Sequence, residues 1–211
     1  IHLQLKFLNF NKVLCLSPHP DDVEYSIVGS ILQSDQTQFD ILCLTQGGDF
    51  DQTNSEDRLQ EVNDFWSGVK NVNLFFTDTD HLKSKQEDEW VNFIENKFDI
   101  NSYDAIMTTN QMDSHFEHRQ TSRIAHAICR ASKVGIIEYK SPSTLVDWVP
   151  NYFIDISKSY SKKIEMLNSF VSQGKRVYFQ QEQIKAFHIN FQSSKRGLEI
   201  VEMFKIIQLY D

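Results

Sequence analysis

The sequence has too little positive charge for a typical nucleic-acid-binding protein. Its 211 residues include 21 Lys and Arg against 29 Asp and Glu, which gives a formal net charge of −8 at pH 7. Proteins that bind DNA or RNA present a basic surface to the phosphates. We therefore expect no nucleic-acid partner, although a local basic pocket could still take an anionic small molecule.

Cysteines are few and scattered. There are three, and none forms a C-x-x-C pair. Cys15 and Cys43 lie in apolar runs that are typical of strands, and Cys129 lies in a helix-like segment. This usage predicts buried, reduced thiols and a reducing compartment rather than a disulfide framework.

Long apolar runs and glycine-rich phosphate loops are also missing. No stretch approaches the ~20 apolar residues of a membrane span, and no secretory signal pattern is visible. No G-x-G-x-x-G occurs, and Gly47-Gly48 alone is a weak signal. We expect a cytoplasmic protein with no membrane span that does not bind a dinucleotide.

What the chain does contain is an alternation of strand-like and helix-like segments. Strands separated by helices of this length predict parallel βαβ units. The fold class expected is α/β, a Rossmann-like, mostly parallel sheet with helices on both faces, in one domain over residues 1–211. The last third is less regular and predicts a C-terminal strand/helix extension, in which residues 177–188 and 197–209 fit either structure. The predicted strands are 13–17, 39–45, 72–77, 105–109, 134–139 and 150–156, and the predicted helices are 23–33, 56–69, 88–98, a segment ending at residue 130, and 157–169.

The most informative stretch is Ser17-Pro18-His19-Pro20-Asp21-Asp22. It joins the first predicted strand to the first predicted helix, and ligands in open α/β folds bind at the carboxyl ends of strands. His19 and Asp22, with the later His118, would supply two imidazoles and one carboxylate, a set that suits zinc with an open position for water. Asp21 is the candidate general base on that water.

The second cluster, Asp113-Ser114-His115-Phe116-Glu117-His118, follows another predicted strand. His115 and His118 are three residues apart and project from one side of a helix. His118 can then bind metal while His115 faces the reacting carbonyl. A lone Asp-Asp pair is commonly a helix cap and a lone His commonly structural, but two such clusters at the same edge of a sheet favour a functional site. His81, in a loop at that edge, fits either interpretation.

These residues resemble the zinc-dependent de-N-acetylases of the PIG-L/LmbE family. The first motif is matched by residues 18–22 and the second by residues 113–118. A Thr-x-Gly loop and an Arg-x-x-Glu pair on the next helix look like residues 45–47 and 58–61. Weaker similarity extends through residues 150–156 and Ser172-Gln173, so the resemblance covers most of the chain.

The resemblance implies an enzyme that removes an N-acetyl group from an amino sugar or sugar conjugate, with Zn²⁺ as cofactor. It implies zinc on His19, Asp22 and His118. It also implies Asp21 as general base and His115 as the group that stabilises the oxyanion or acts as an acid. Substrate contacts are implied for Arg58 and Asp80, and supporting roles around the metal for Asp113 and Glu117. Relatives often form homo-oligomers, which leaves that possibility open.

The sequence also departs from the family pattern. Glu117 replaces an Asp, and we expect the longer carboxylate to orient His115 still. Gly48 stands where many relatives have a substrate-binding Glu, and Asp49 is the candidate replacement. A histidine that commonly precedes the Ser-Gln pair is missing before Ser172.

Two other functions fit some of the same residues. Two histidines and one carboxylate also bind ferrous iron, so a non-haem iron enzyme is possible. Such sites usually lie in barrels, whereas this chain predicts an α/β sheet. A catalytically silent carbohydrate-binding protein on the same fold is the other alternative, against which the complete set of site residues argues.

Overall fold

The computed structural model describes residues 7–47 and 54–210. Strands and helices alternate through the described residues up to residue 139, as the hydrophobic pattern predicts. The strands are β1 (Lys12–Ser17), β2 (Gln38–Cys43), β3 (Val72–Phe76), β4 (Ala105–Thr108), β5 (Gly135–Tyr139), β6 (Tyr152–Asp155) and β7 (Val201–Gln208). The helices are α1 (Asp22–Leu32), α2 (Ser55–Trp66), α3 (Glu87–Lys97), α4 (Phe116–Cys129), α5 (Tyr160–Leu167), α6 (Gln181–Phe187) and α7 (Phe191–Ser194).

All seven strands belong to one sheet in the order β3-β2-β1-β4-β5-β7-β6. The first five are parallel, whereas β7 runs antiparallel to both β5 and β6. The predicted α/β class and mostly parallel sheet are therefore confirmed. The strand order reverses between β1 and β4, and such a switch point opens a crevice at the carboxyl ends of the two strands.

Helices cover both faces of the sheet because the central strands are apolar on both sides. Val13 and Cys15 of β1 pack into a core that includes α1, α2 and α5. Leu14 and Leu16, which point the opposite way, pack into a second core with α3 and α4. This alternation along one strand is what a sheet buried on both faces requires.

In the C-terminal third, the two segments whose sequences fit either a helix or a strand adopt different structures. Residues 177–188 fold as a short 3₁₀ turn, Val177–Phe179, followed by α6, whereas residues 197–209 contain β7. The strand β7 lies between β5 and β6, so the extension completes the main sheet rather than forming a separate layer. Across the described residues, no helix is both long and apolar enough to cross a lipid bilayer.

Candidate active site

The two predicted clusters meet at the switch point of the sheet. Residues 17–22 follow β1, and residues 113–118 lead from the loop after β4 into α4. Between them lies a cavity of about 540 Å³. Of the predicted residues, those that line it are His19, Asp21, Asp22, Arg58, His115, Glu117 and His118.

Asp22 lies between the two histidines that were predicted to bind metal. Its Oδ2 is 3.0 Å from Nδ1 of His19, and its Oδ1 is 3.2 Å from Nε2 of His118. These are ion-pair distances made by the two different oxygens of Asp22, and they bring two imidazoles and one carboxylate together around one point. Two imidazole nitrogens and a carboxylate oxygen are also the donor types that zinc accepts. The set therefore fits a metal ion.

Each of the two histidines also contacts a second carboxylate through its other ring nitrogen. Nδ1 of His118 is 3.1 Å from Asp113, and Nε2 of His19 is 2.7 Å from Glu117. Carboxylates in this position fix the tautomer and the ring orientation of a metal-binding histidine. Asp113 is itself fixed, because the hydroxyls of Ser141 and Ser143 donate to it.

The position of Glu117 corrects one expectation. Its Oε2 contacts His19 and its Oε1 accepts the backbone N–H of Leu82 at 2.8 Å, so both oxygens are engaged away from His115. The backbone N–H of His115 is instead fixed by Asp113, at 2.8 Å. The carboxylate of Glu117 therefore supports the segment after β1 rather than His115.

The charges at this centre favour a bound cation. Burial alone would raise the pKa of Asp22, but His118 and His19 reverse the effect and hold that pKa well below its usual range. Burial alone would lower the pKa of His118, but Asp22 and Asp113 raise it to about 10. The carboxylates thus stabilise positive charge at the point where the ligand atoms converge.

His115 lies against both of the other histidines. Its ring centroid is 4.7 Å from that of His19 and 4.8 Å from that of His118, and candidate ligand atoms of all three lie within 4.8 Å of one another. Burial lowers the pKa of His115, and the two neighbouring imidazoles lower it further. Within the described part of the chain, its buried Nδ1 has no hydrogen-bond partner. A neutral imidazole is therefore available to a bound molecule.

Asp21 has a strained backbone and a raised proton affinity. Its φ is 131°, a region that side-chain-bearing residues rarely adopt and that is found mainly at functional sites. Burial raises its pKa to about 6, with Arg58 opposing and Asp22 adding to the rise. A carboxylate with a pKa near 6 is suited to accept and return a proton close to neutral pH.

Arg58 holds the turn that contains Asp21. Its Nη2 donates to the carbonyl of Pro20 at 2.9 Å and lies 3.4 Å from Asp21 Oδ2, and its Nη1 donates to the carbonyl of Gly47 at 2.9 Å. Gly47 has φ +83°, and a Cβ there would lie 2.0 Å from Nη1. Arg58 also lines the cavity, so it supports Asp21 while leaving a substrate contact possible.

Two of the predicted substrate contacts are not brought to the cavity. Asp80 is exposed, accepts a hydrogen bond from the Ser55 hydroxyl at 3.3 Å, and is not among the lining residues. Asp49, predicted as the replacement for a family Glu, lies outside the described residues. His81, which the sequence left undecided, does line the cavity and lies 3.9 Å from Glu117.

Several lining residues were not predicted. They come from helix α1, from the loop after β3, from the start of α4 and from the C-terminal third. Tyr25 lies three residues after the first motif and Phe116 lies inside the second, so both could have been suspected from their place, whereas the others stand in no motif. The unpredicted residues are Tyr25, Lys83, Phe116, Pro142, Ser143, Arg176 and Tyr178.

With the geometry established, comparison with known families gives the class of the protein. The profile of the GlcNAc-PI de-N-acetylase family, PIG-L, matches residues 14–129, more than half of the chain. The chain belongs to the PIG-L family, as the two motifs predicted, and is an enzyme of this hydrolytic deacetylase class. A comparison with curated proteins finds no match.

Solved structures with the same fold include deacetylases and one enzyme of another kind. N,N′-diacetylchitobiose deacetylase from Pyrococcus horikoshii is 18% identical with a TM-score of 0.76, and the match covers 97% of this chain and 86% of that one. A zinc-inhibited teicoplanin deacetylase is 13% identical with a TM-score of 0.70, over 92% of this chain and 96% of that one. A 4-carboxy-2-hydroxymuconate hydratase from Pseudomonas putida is 12% identical with a TM-score of 0.78, over 95% and 98%. The fold alone therefore does not determine the reaction.

Proposed function

We propose that this protein is a zinc-dependent hydrolase that removes the N-acetyl group from an amino sugar or sugar conjugate. The observation that carries the proposal is the position of Asp22, within 3.0 Å of His19 and 3.2 Å of His118, beside the strained Asp21. Family membership supports the deacetylase class. The diacetylchitobiose and teicoplanin deacetylases, which share the fold, support a glycan or glycoconjugate substrate.

The metal would be held by His19, Asp22 and His118, with the rings oriented by Glu117 and Asp113. When bound, zinc supplies a Lewis acid that polarises the amide carbonyl and makes a water molecule acidic. The residues around it contribute positioning and proton transfer.

Asp21 carries the proton in this mechanism. Its carboxylate takes a proton from the attacking water, and the oxygen of that water forms a bond to the acetyl carbon. The protonated carboxyl then returns the proton to the sugar nitrogen as the C–N bond breaks. The products are acetate and a free amine, so water is the only co-reactant. The pKa of about 6 suits both directions of transfer.

His115 acts on the carbonyl oxygen. Its imidazole is neutral because burial and the neighbouring histidines lower its pKa, and a neutral imidazole keeps one N–H to donate. That N–H can stabilise the oxyanion that develops when water adds to the carbonyl, the type of interaction that removes several kcal/mol from such barriers. Asp113 accepts the backbone N–H of His115, which holds the residue at the N-terminus of α4.

The test is an acetate-release screen with zinc supplied. The panel comprises N-acetylglucosamine, N-acetylgalactosamine, N,N′-diacetylchitobiose, N-acetylglucosamine 1-phosphate and UDP-N-acetylglucosamine. Wild type is compared with Asp21→Asn and with Asp35→Asn, an exposed surface control. We expect Asp21→Asn to lose roughly 10²- to 10⁴-fold in kcat while retaining metal, as removal of a general base does.

Metal content and oxygen dependence separate the alternatives. Zinc in the purified protein and acetate release under anaerobic conditions support the deacetylase, whereas iron and a requirement for oxygen support the iron enzyme. No metal uptake and no acetate release over the whole panel would favour the silent carbohydrate-binding protein. Full turnover by Asp21→Asn would refute the role of Asp21.

A further inference from the structure

One face of helix α2 contacts both the turn that contains Asp21 and a later segment that contributes residues to the cavity wall. Arg58 and Glu61 are three residues apart, so their side chains project from the same side of the helix. Arg58 binds the turn that contains Asp21. Glu61 binds Ser172, more than a hundred residues later in the chain: its Oε1 accepts the backbone N–H at 2.7 Å and its Oε2 accepts the hydroxyl at 2.5 Å.

Ser172 begins a short segment that carries two lining residues of the cavity. Arg176 and Tyr178 both line it. The chain between them and Ser172 is tightly turned, since the N–H of Arg176 donates to the carbonyl of Gln173 at 2.9 Å. The far end is fixed as well, because the Tyr25 hydroxyl donates to the carbonyl of Tyr178 at 2.8 Å. Segment 172–178 is thus held at one end by α2 and at the other by α1.

We propose that Glu61 is a positioning residue for substrate selection: by fixing Ser172 it holds segment 172–178 so that Arg176 and Tyr178 contact the part of the substrate beyond the acetamido group. This inference rests on the proposed function. Segment 172–178 lies outside the family-matched residues 14–129, whereas Glu61 lies inside them. A guanidinium and a phenol ring suit a hydroxylated or anionic group attached to the sugar.

Both oxygens of the Glu61 carboxylate are used on one residue, so truncation removes two hydrogen bonds at once. Glu61 and Ser172 are half-buried, which lets water replace part of the lost interaction. We therefore expect Glu61→Ala to displace the segment in part and to raise KM for a sugar conjugate about tenfold, the effect of weakening one charged hydrogen bond between Arg176 and the substrate. Because neither Glu61 nor Ser172 lines the cavity, kcat should stay unchanged.

Steady-state kinetics on the best conjugate of the panel and on free N-acetylglucosamine tests this expectation. Glu61→Ala should raise KM for the conjugate but not for the monosaccharide. Glu61→Gln, which keeps an oxygen for the Ser172 amide, should restore most of the wild-type KM. A double-mutant cycle with Ser172→Ala should be non-additive, as residues in direct contact are. Glu56→Gln, exposed on the same helix, is the matched control.

Hydrogen exchange measured by mass spectrometry provides a readout that is independent of activity. In Glu61→Ala, exchange should rise in peptides covering residues 170–179 and stay unchanged in α1. Unchanged exchange in 170–179, an equal KM for wild type and Glu61→Ala, or a wild type that hydrolyses only free N-acetylglucosamine would each overturn the inference. A wild type that releases no acetate from any panel sugar would refute the proposed function, and the inference with it.

Discussion

Lys163 offers a quantitative test of how the C-terminal extension is attached. Its Nζ is 2.6 Å from Oε1 of Glu202 on β7, and both side chains are 0% exposed. Glu202 also accepts the backbone N–H groups of Gly29 and Ser30, at 2.8 and 2.7 Å, in the last turn of α1. Nζ of Lys163 also lies 2.8 Å from Nε2 of His188. One buried ion pair therefore joins α5 and β7 to the helix that begins with Asp22.

Replacing Lys163 by Met removes the cation and keeps most of the side-chain volume. Breaking a buried pair by removing one partner typically costs about 3–5 kcal/mol, because the other charge stays buried without compensation. The two N–H donors from α1 still solvate the Glu202 carboxylate, so we expect a cost near the lower end, about 3 kcal/mol. For a chain of this size that lowers Tm by about 6–12 °C.

The neighbouring lysine provides the control. Lys162 pairs with Glu165 at 2.7 Å, but both side chains are exposed, so Lys162→Met should change stability by less than about 1 kcal/mol. Urea unfolding and calorimetry on the two variants, in the same buffer, measure the difference. If Lys163→Met and Lys162→Met had the same Tm, the buried ion pair would not stabilise the attachment of the C-terminal extension.

Three further predictions concern the metal, the general base and acid stability. Asp113→Asn should weaken zinc binding about 10- to 100-fold in a chelator competition, because it weakens the hydrogen bond that orients His118; unchanged affinity would contradict that role. Gly47→Ala should lower kcat/KM far more than Gly68→Ala. Both glycines have positive φ, but only a Cβ at Gly47 would clash with Arg58. Equal losses would indicate that backbone strain alone is responsible. Burial and the Lys163 charge hold the pKa of His188 in the folded protein well below 6.5. Below about pH 6.5 only the unfolded chain therefore takes up this proton, so the free energy of unfolding falls by up to about 1.4 kcal/mol per pH unit. In urea unfolding, the free energy of unfolding should fall less between pH 7.5 and pH 5.5 for His188→Asn than for wild type.

The meeting of the two motif segments was predictable because it depends on local patterns. Each segment follows an apolar strand-like run, and parallel strands place their carboxyl ends at one edge of the sheet. These local patterns do not predict that β1 and β4 are direct neighbours in the sheet. Their adjacency depends on long-range pairing, and it determines that Asp22 reaches His118.

The partners of the supporting carboxylates were not predictable either. Glu117 was expected to orient His115, but the approach of α4 to the β1 turn brings it to His19 instead. Likewise Arg58 looks like a simple substrate contact in the sequence, whereas the fold places it against the carbonyls of Pro20 and Gly47. Such choices depend on differences of a few ångströms in helix position, which residue spacing does not encode.

The strain at Asp21 can be understood from the elements that surround it. A side-chain-bearing residue at φ 131° costs about 1–3 kcal/mol and persists only where neighbouring structure compensates. Here Arg58 binds the preceding carbonyl, and the N–H of Tyr25 donates to the Asp21 carbonyl at 2.8 Å to start α1. The Glu202 carboxylate then binds the last turn of the same helix. The conformation of the proposed base thus depends on α2 and, through α1, on the C-terminal strand.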